Sequence, residues 1–298
     1  MTTTATTAPP VLGVLARQEI RNYLRSKLFW VGVVLLAALT VISFVTSAHP
    51  WANGMQPSST LDDLTPAALL GVFGVFIMAG LTKRSDRAAA AAGSVAVPER
   101  TRTLALAAAV VVPVTAALAW YVAAIATYFV HPPSLTVPFP PIGDGFVFTA
   151  MFAKGVVSAA SGPILGLLIA RWLPRRGVTA LAAVLVVVVT ILLQGNFEST
   201  WHWRVVWPWT HWYGPLGFNS GDDHWLVLPG SPQMWLVYLL AVCALGVLAA
   251  VYHDPEADRA TLRKVIAAVL VVAVVAVVLT MTLGVHEVVY NPVTGPPA

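Results

Sequence analysis

His286 and Glu287 open like the H-E-x-x-H helix of a zinc protease, in which two histidines one helical turn apart hold the metal and the glutamate activates water. Tyr290 stands where the second histidine must be, so this pair cannot build that site. Ser158 and Ser161 lie in a Ser-Ala-Ala-Ser-Gly run, which is not a nucleophile elbow. Small residues at such positions in an apolar helix serve close packing. His202, His211 and His224 with Asp222 and Asp223 could in principle converge on a metal, but their irregular spacing matches no ligand pattern and reads as solvated loop. The lone Cys243 sits in an apolar run and reads as a small buried residue. No G-x-x-x-x-G-K-[ST] sequence occurs, so the chain has no Walker-type ATP site. These residues predict no enzyme, no catalytic or metal-binding group and no cofactor.

Ion-coupled transport would need ionisable groups near mid-membrane. The apolar runs contain no Asp or Glu at their centres, and Lys154 is the one basic residue well inside such a run. It is expected to snorkel or to pair within the bundle. Any transport by this chain must therefore draw its energy from another subunit.

The elements that carry these residues follow from apolar run length. Of 298 residues, 58% are hydrophobic and only 10% charged, with a mean hydropathy of +0.78. A chain this poor in charge cannot clothe a water-facing surface, whereas lipid removes that need. Seven stretches approach the roughly 20 residues of a spanning helix. They cover 28–47, 66–82, 103–130, 146–170, 178–195, 234–252 and 265–285. The expected fold is thus an all-α integral membrane protein, a polytopic bundle of six to seven spans. The run at 66–82 is short and glycine-rich, and the run at 146–170 carries Lys154 and Pro163, so these are the two weaker spans. The first run is too long, and lies too far from the N-terminus, for a cleaved signal peptide.

Basic residues orient the bundle, because Lys and Arg in short connections resist translocation. Arg17, Arg21, Arg25 and Lys27 precede the first span; Lys83, Arg84, Arg87, Arg100 and Arg102 follow the second. Arg171, Arg175 and Arg176 follow the fourth, and Arg259, Arg263 and Lys264 follow the sixth. The opposite connections hold Arg204 alone. This alternation predicts a plasma-membrane protein with a cytoplasmic N-terminus and an external tail over 286–298. The net charge of +4 is thereby a matter of orientation, and nucleic acid is not an expected partner.

On the outer side, 131–141 and the Pro50 to Pro57 stretch form proline-rich turns. The longest connection, Asn196 to Gln233, holds Trp201, Trp203, Trp207, Trp209, Trp212 and Trp225. Indoles favour the headgroup level, so this loop is expected to lie along the outer membrane surface. On the inner side, 1–10 reads as a disordered tail. Residues 11–27 read as an amphipathic helix on the inner leaflet, with Leu12, Ala16, Ile20 and Tyr23 on one face. Arg17, Arg21 and Arg25 lie opposite, and Glu19 and Lys27 blur the pattern. Between the second and third spans, Asp86 and the Pro98-Glu99-Arg100 sequence bracket an alanine run, which predicts a short cytoplasmic helix, then a break, then re-entry.

Two segments resemble the permease subunits of ABC-2 type transporters. One is Leu15 to Trp30, leading into the first span; the other is Asp86-Arg87, Gly93 and Val95-Ala-Val-Pro-Glu-Arg100. In that family a basic and acidic interfacial helix precedes the first span, and a cytoplasmic helix between the second and third touches the ATPase. The resemblance covers about the first third of the chain. It implies a permease that dimerises with a second copy or paralogue, sits on cytoplasmic ABC ATPase subunits and exports an apolar or amphipathic substrate. Asp86, Arg87, Glu99 and Arg100 would couple to the ATPase, and Arg17, Glu19, Arg21 and Arg25 would belong to the interfacial helix. The family usually has six spans with both ends inside, so a seventh span with an external C-terminus departs from it. A polytopic membrane anchor that recruits partners without transporting is the competing expectation.

Overall fold

The computed structural model describes residues 8–47, 64–93, 97–130, 144–196, 205–209, 217–218, 224–226, 230–284 and 290–292. The expectations for residues 1–7, for the outer turns at 48–63 and 131–143, and for most of the Trp-rich connection and the tail fall outside these residues.

The described residues form a helical bundle. Helix α1 (Ala8–Leu24) is followed, after a break at Arg25 and Ser26, by α2 (Lys27–Ser47). Helix starts therefore precede the expected boundary at residue 11, and the basic flank through Lys27 divides between two helices. The second span begins as a π-helical turn (Ala67–Val72) and continues as α3 (Phe73–Ala92). The alanine run is thus a continuation of the second span and not the separate short helix expected. No Pro or Gly interrupts 81–92, and the Thr82 hydroxyl back-bonds to the Met78 carbonyl. The helix stops where Gly93 takes φ +60°, a conformation that disfavours side-chain-bearing residues.

The third span is two helices, α4 (Glu99–Ala108) and α5 (Val111–Val130). Pro113 has no N–H to give the Ala109 carbonyl, and the Val112 N–H takes it instead in a tighter turn. The fourth comprises α6 (Asp144–Met151), a second π-helical segment (Phe152–Val157) and α7 (Ser158–Trp172). Helices α8 (Val178–Asn196), α9 (Pro232–Tyr252) and α10 (Arg259–Thr282) complete the bundle. Ser231 caps α9, with Pro232 at its first position, and Asp258 caps α10 through the N–H groups of Ala260 and Thr261.

Among the described residues, six helical stretches are long and apolar enough to cross a membrane: Lys27–Val45, Ala67–Ala92, Glu99–Thr127, Phe148–Trp172, Pro232–Tyr252 and Arg259–Thr282. This makes the chain a multi-pass membrane protein. Both spans marked weaker in the sequence are among the six. The helix that falls short is α8, whose described apolar stretch is Val178–Leu193.

The centre of the bundle is the crossing of α3 and α7. A Cβ added at Gly162 would collide with the backbone of Gly71, and one at Gly166 with the backbone of Val75. Gly162 and Gly166 are four residues apart on one face, the small-residue spacing that lets two backbones approach in lipid. A Cβ at Gly74 would lie 2.5 Å from the Pro163 ring. The Phe148–Trp172 span is accordingly the most enclosed, whereas α2 and α10 present broad apolar faces outward.

Among the described residues, strand pairing is confined to a short antiparallel ladder in the order Gly217–Phe218 (β1), His224–Leu226 (β2) and Tyr290–Pro292 (β3). Trp225 pairs with Asn291, so the C-terminal tail joins the connection between α8 and α9.

Candidate functional site: an ionic cluster at one end and a tryptophan plug at the other

The charged connections gather at one end of the bundle. Asp86 lies on the part of α3 beyond the apolar stretch, and its Oδ1 accepts from Arg171 Nη1 at 2.6 Å and Arg102 Nη1 at 2.9 Å. Arg102, near the start of α4, also donates to the carbonyls of Ser85 and Val97. Glu99 Oε1 lies 3.7 Å from the same Arg171 nitrogen and 2.6 Å from His253 Nδ1, just past the end of α9. Asp254, buried beside it, accepts the Arg100 backbone N–H at 2.8 Å and the Glu256 N–H at 2.9 Å. The ring of Trp172 meets His253 edge-on, and its indole N–H donates to the Ala249 carbonyl. Four helices, α3, α4, α7 and α9, are thus tied together by one chain of ionic and hydrogen-bonded contacts.

Arg171 is the centre of this arrangement. It is 4% exposed, and its Nε and Nη2 have no hydrogen-bond partner among the described residues. A buried guanidinium is tolerated only because carboxylates share its charge. By its place in the chain Arg171 groups with Arg175 and Arg176 as one of three loop cations, and neither His253 nor Asp254 stands out there. The available signal was position: Arg171 directly abuts an apolar run, whereas Arg175 and Arg176 follow Pro174.

The expected coupling residues divide into two kinds. Asp86 and Glu99 point into the network, whereas Arg87 and Arg100 have exposed side chains. Arg17 and Arg21 on α1 and Arg25 in the break after it are also exposed, and Glu19 is half-buried and accepts from the Asn22 amide. The opposite face of α1 is packed: Tyr23 is fully buried, stacks edge-on against Phe29 and approaches Gly74 of α3. Burial pushes the Tyr23 hydroxyl well above its ordinary pKa. Helix α1 therefore packs on the bundle through α3 and α4 rather than standing apart from it.

No protein-family model matches the chain, and no curated protein shows significant similarity to it.

At the other end, the connection between α8 and α9 enters the bundle. Val205 is buried and Trp209 nearly so. The indole of Trp209 donates to the Ser158 carbonyl at 3.2 Å, and the Ser158 hydroxyl donates to the Pro208 carbonyl at 2.8 Å. Trp207 donates to Thr190 of α8, while Trp235 and Tyr238 of α9 donate to the carbonyls of Val205 and Val206. Residues 205–209 consequently form a plug between α7, α8 and α9. This corrects the expectation that the whole Trp-rich loop lies along the membrane surface. The physical reason is that the plug's backbone carbonyls find donors on α7 and α9, so burial leaves them satisfied. Of the other tryptophans of the connection, Trp225 lies in the short strand β2, and Trp201, Trp203 and Trp212 fall outside the described residues.

Two π-helical turns flank this plug, one in each of the crossing spans, and such turns concentrate at functional positions. Lys154 lies in the second. It is 1% exposed and engages a partner, so it is held within the bundle and does not snorkel outward. Trp120 of α5 covers Gly155 beside it, where a Cβ would meet the indole.

Proposed function

We propose that the chain is the membrane-spanning subunit of an ATP-driven exporter of the ABC-2 type. It moves an apolar or amphipathic substrate, with ATP hydrolysed by a separate cytoplasmic subunit and a second permease copy or paralogue completing the pathway. In this reading the protein lies in the plasma membrane, with the basic end of the bundle cytoplasmic and the C-terminus external.

The observation that carries the proposal is the extension of α3. The helix continues past its apolar stretch as a ledge bearing Lys83, Arg84 and Arg87, with Arg87 exposed. At the base of the ledge, Asp86 is bound to Arg171 of α7 and Arg102 of α4, and Glu99 links onward to His253 at the end of α9. A force on the ledge would be transmitted to three other helices through short ionic contacts. A rigid lever linked to spans is what a passive bundle needs if an external motor drives it. The lack of Asp or Glu at the centres of the spans supports the same division of labour. Arg87 and Arg100 would meet the ATPase, and Asp86 and Glu99 would pass the displacement on.

The test is purification of the full chain from its native membrane in a mild detergent, with the associated proteins identified by mass spectrometry. The proposal expects a soluble ATPase carrying a Walker A sequence, lost on Arg87→Ala with Arg100→Ala. A complex with partners but no ATPase would replace the exporter by a non-transporting anchor. A reporter fused after Ala298 should read as external, and a cytoplasmic signal would overturn the orientation.

A further inference from the structure

The plug roofs a slot. Between α7, α8 and α9 lies a cavity of about 350 Å³. Its walls are Ile164, Leu165 and Leu168 on α7, Ala182, Leu185, Val186 and Val189 on α8, and Val242, Cys243 and Gly246 on α9; Trp207, Pro208 and Trp209 close one end. This is within the size range of small-molecule sites.

We propose that this slot is a binding site for one acyl chain of a bilayer phospholipid. Its shape, lining and mouth each point to that occupant. The walls run from Ser161 to Leu168 on α7 and from Ala182 to Val189 on the antiparallel α8, which is two helical turns, or about 10 Å along the helix axes. An extended chain fits a slot of that form, and a compact solute does not use its length. No lining residue carries a charge. The polar groups at the roof are already engaged: Trp207 Nε1 with Thr190, Trp209 Nε1 and the Ser161 hydroxyl with the Ser158 carbonyl. Nothing is left to hold a headgroup or water inside. The mouth opens past Leu185, which is 52% exposed on a face of α8 that also presents Leu181, Val184 and Val188. The opening therefore adjoins an exposed apolar face of α8, and acyl chains are the solvent available to such a face in the hydrocarbon layer. Helix α8 packs only lightly on both α3 and α7, so it can stand away from α9 and keep the slot open.

The site goes beyond the exporter reading, since it requires only that the bundle sit in a bilayer, and its test involves no ATPase. The full chain is reconstituted in phosphatidylcholine vesicles containing a tracer phosphatidylcholine with a diazirine on its acyl chain. After photolysis, labelled peptides are mapped by mass spectrometry. The expected result is several-fold denser labelling on 161–168, 182–189 and 242–246 than on the outward faces of α2 and α10. Even labelling across all lipid-exposed helices overturns the proposal, and this arm needs no variant. Ala182→Phe, which fills the slot from the loosely packed helix, should then suppress labelling of 161–168 and 242–246. Val274→Phe, on the outward face of α10, should leave it unchanged. Undiminished labelling in a folded Ala182→Phe protein also overturns the site.

Discussion

Arg171 and Asp86 stand 85 positions apart in the chain and 2.6 Å apart in the folded protein. The arginine is buried and the aspartate is 41% exposed, so the pair is asymmetric. Asp86→Ala would leave Arg171 with Glu99, at 3.7 Å, as its remaining carboxylate. Removing one partner of a fully buried pair costs about 3–5 kcal/mol; solvent access to Asp86 lowers the expected cost to about 1–3 kcal/mol. The double variant Asp86→Ala with Arg171→Met should be no less stable than Asp86→Ala alone, because the buried charge is gone. Thermal unfolding in detergent of the four members of this cycle measures the coupling, and strictly additive effects would show that the pair is not the tie. Because Asp86 also holds the bundle together, Arg87→Ala is the cleaner variant for reading partner docking.

Apolar run length made the six membrane-crossing stretches and the shorter apolar helix α8 legible in the sequence, and the placement of basic residues anticipated that the charged connections share one end. Arg171 was not legible, because a local pattern gives its residue type but not its helical phase relative to α3. Only the folded bundle shows that it turns inward while Arg175 and Arg176 remain outside. Apolarity ends at Thr82, which makes the alanine run look like a separate element. Helix continuity depends instead on the absence of a breaker before Gly93, which is a different signal. For the tryptophans, the same indole chemistry suits the headgroup layer and a hydrogen-bonded plug. The choice at Trp209 is made by the Ser158 carbonyl, which accepts both its indole N–H and the Ser161 hydroxyl.

The crossing of α3 and α7 should tolerate no side chain at Gly162. A Cβ there meets the backbone of Gly71, which cannot rotate aside. Gly162→Val is expected to cost at least the ~1–3 kcal/mol typical of overpacking, and to lower the yield of folded protein. Gly13→Ala is the matched control, since a Cβ there meets nothing within 4 Å. Equal melting temperatures for the two variants would count against the close crossing.

The plug offers a graded series. Trp209→Phe keeps an aromatic ring, smaller than the indole, and removes the N–H that donates to Ser158; loss of that bond alone should cost about 0.5–1.5 kcal/mol. Trp209→Ala removes the ring as well and should cost about 3–5 kcal/mol. A denaturant series in detergent checks the order. If Trp209→Ala is as stable as Trp209→Phe, the ring does not pack as the structure shows.

The cap of α10 gives a pH dependence of known sign. The Thr261 hydroxyl and N–H, with the Ala260 N–H, hold the Asp258 carboxylate below its ordinary pKa. Its stabilising contribution is full above the unfolded value of about 4 and declines as pH falls through the lower folded value. Asp258→Asn retains a capping side chain and removes this titration. The melting temperature of the wild-type protein should therefore fall more steeply than that of the variant below about pH 4. Parallel curves would show that the carboxylate is not held by these donors. Because Asp258 is exposed, the difference should shrink in high salt.

Tyr23 is the most informative position on α1. Its ring is fully buried against Phe29, and its hydroxyl has no hydrogen-bond partner among the described residues. A buried hydroxyl without a partner carries its desolvation cost unrelieved, so Tyr23→Phe should be neutral or should raise the melting temperature. Tyr23→Ala removes the packing that fastens α1 to the bundle and should cost about 3–5 kcal/mol. The two variants separate the ring from the hydroxyl at one site. If Tyr23→Phe destabilises the protein as much as Tyr23→Ala, the hydroxyl has a partner in the membrane-embedded protein, and the α1–α3 junction is held by that bond rather than by packing.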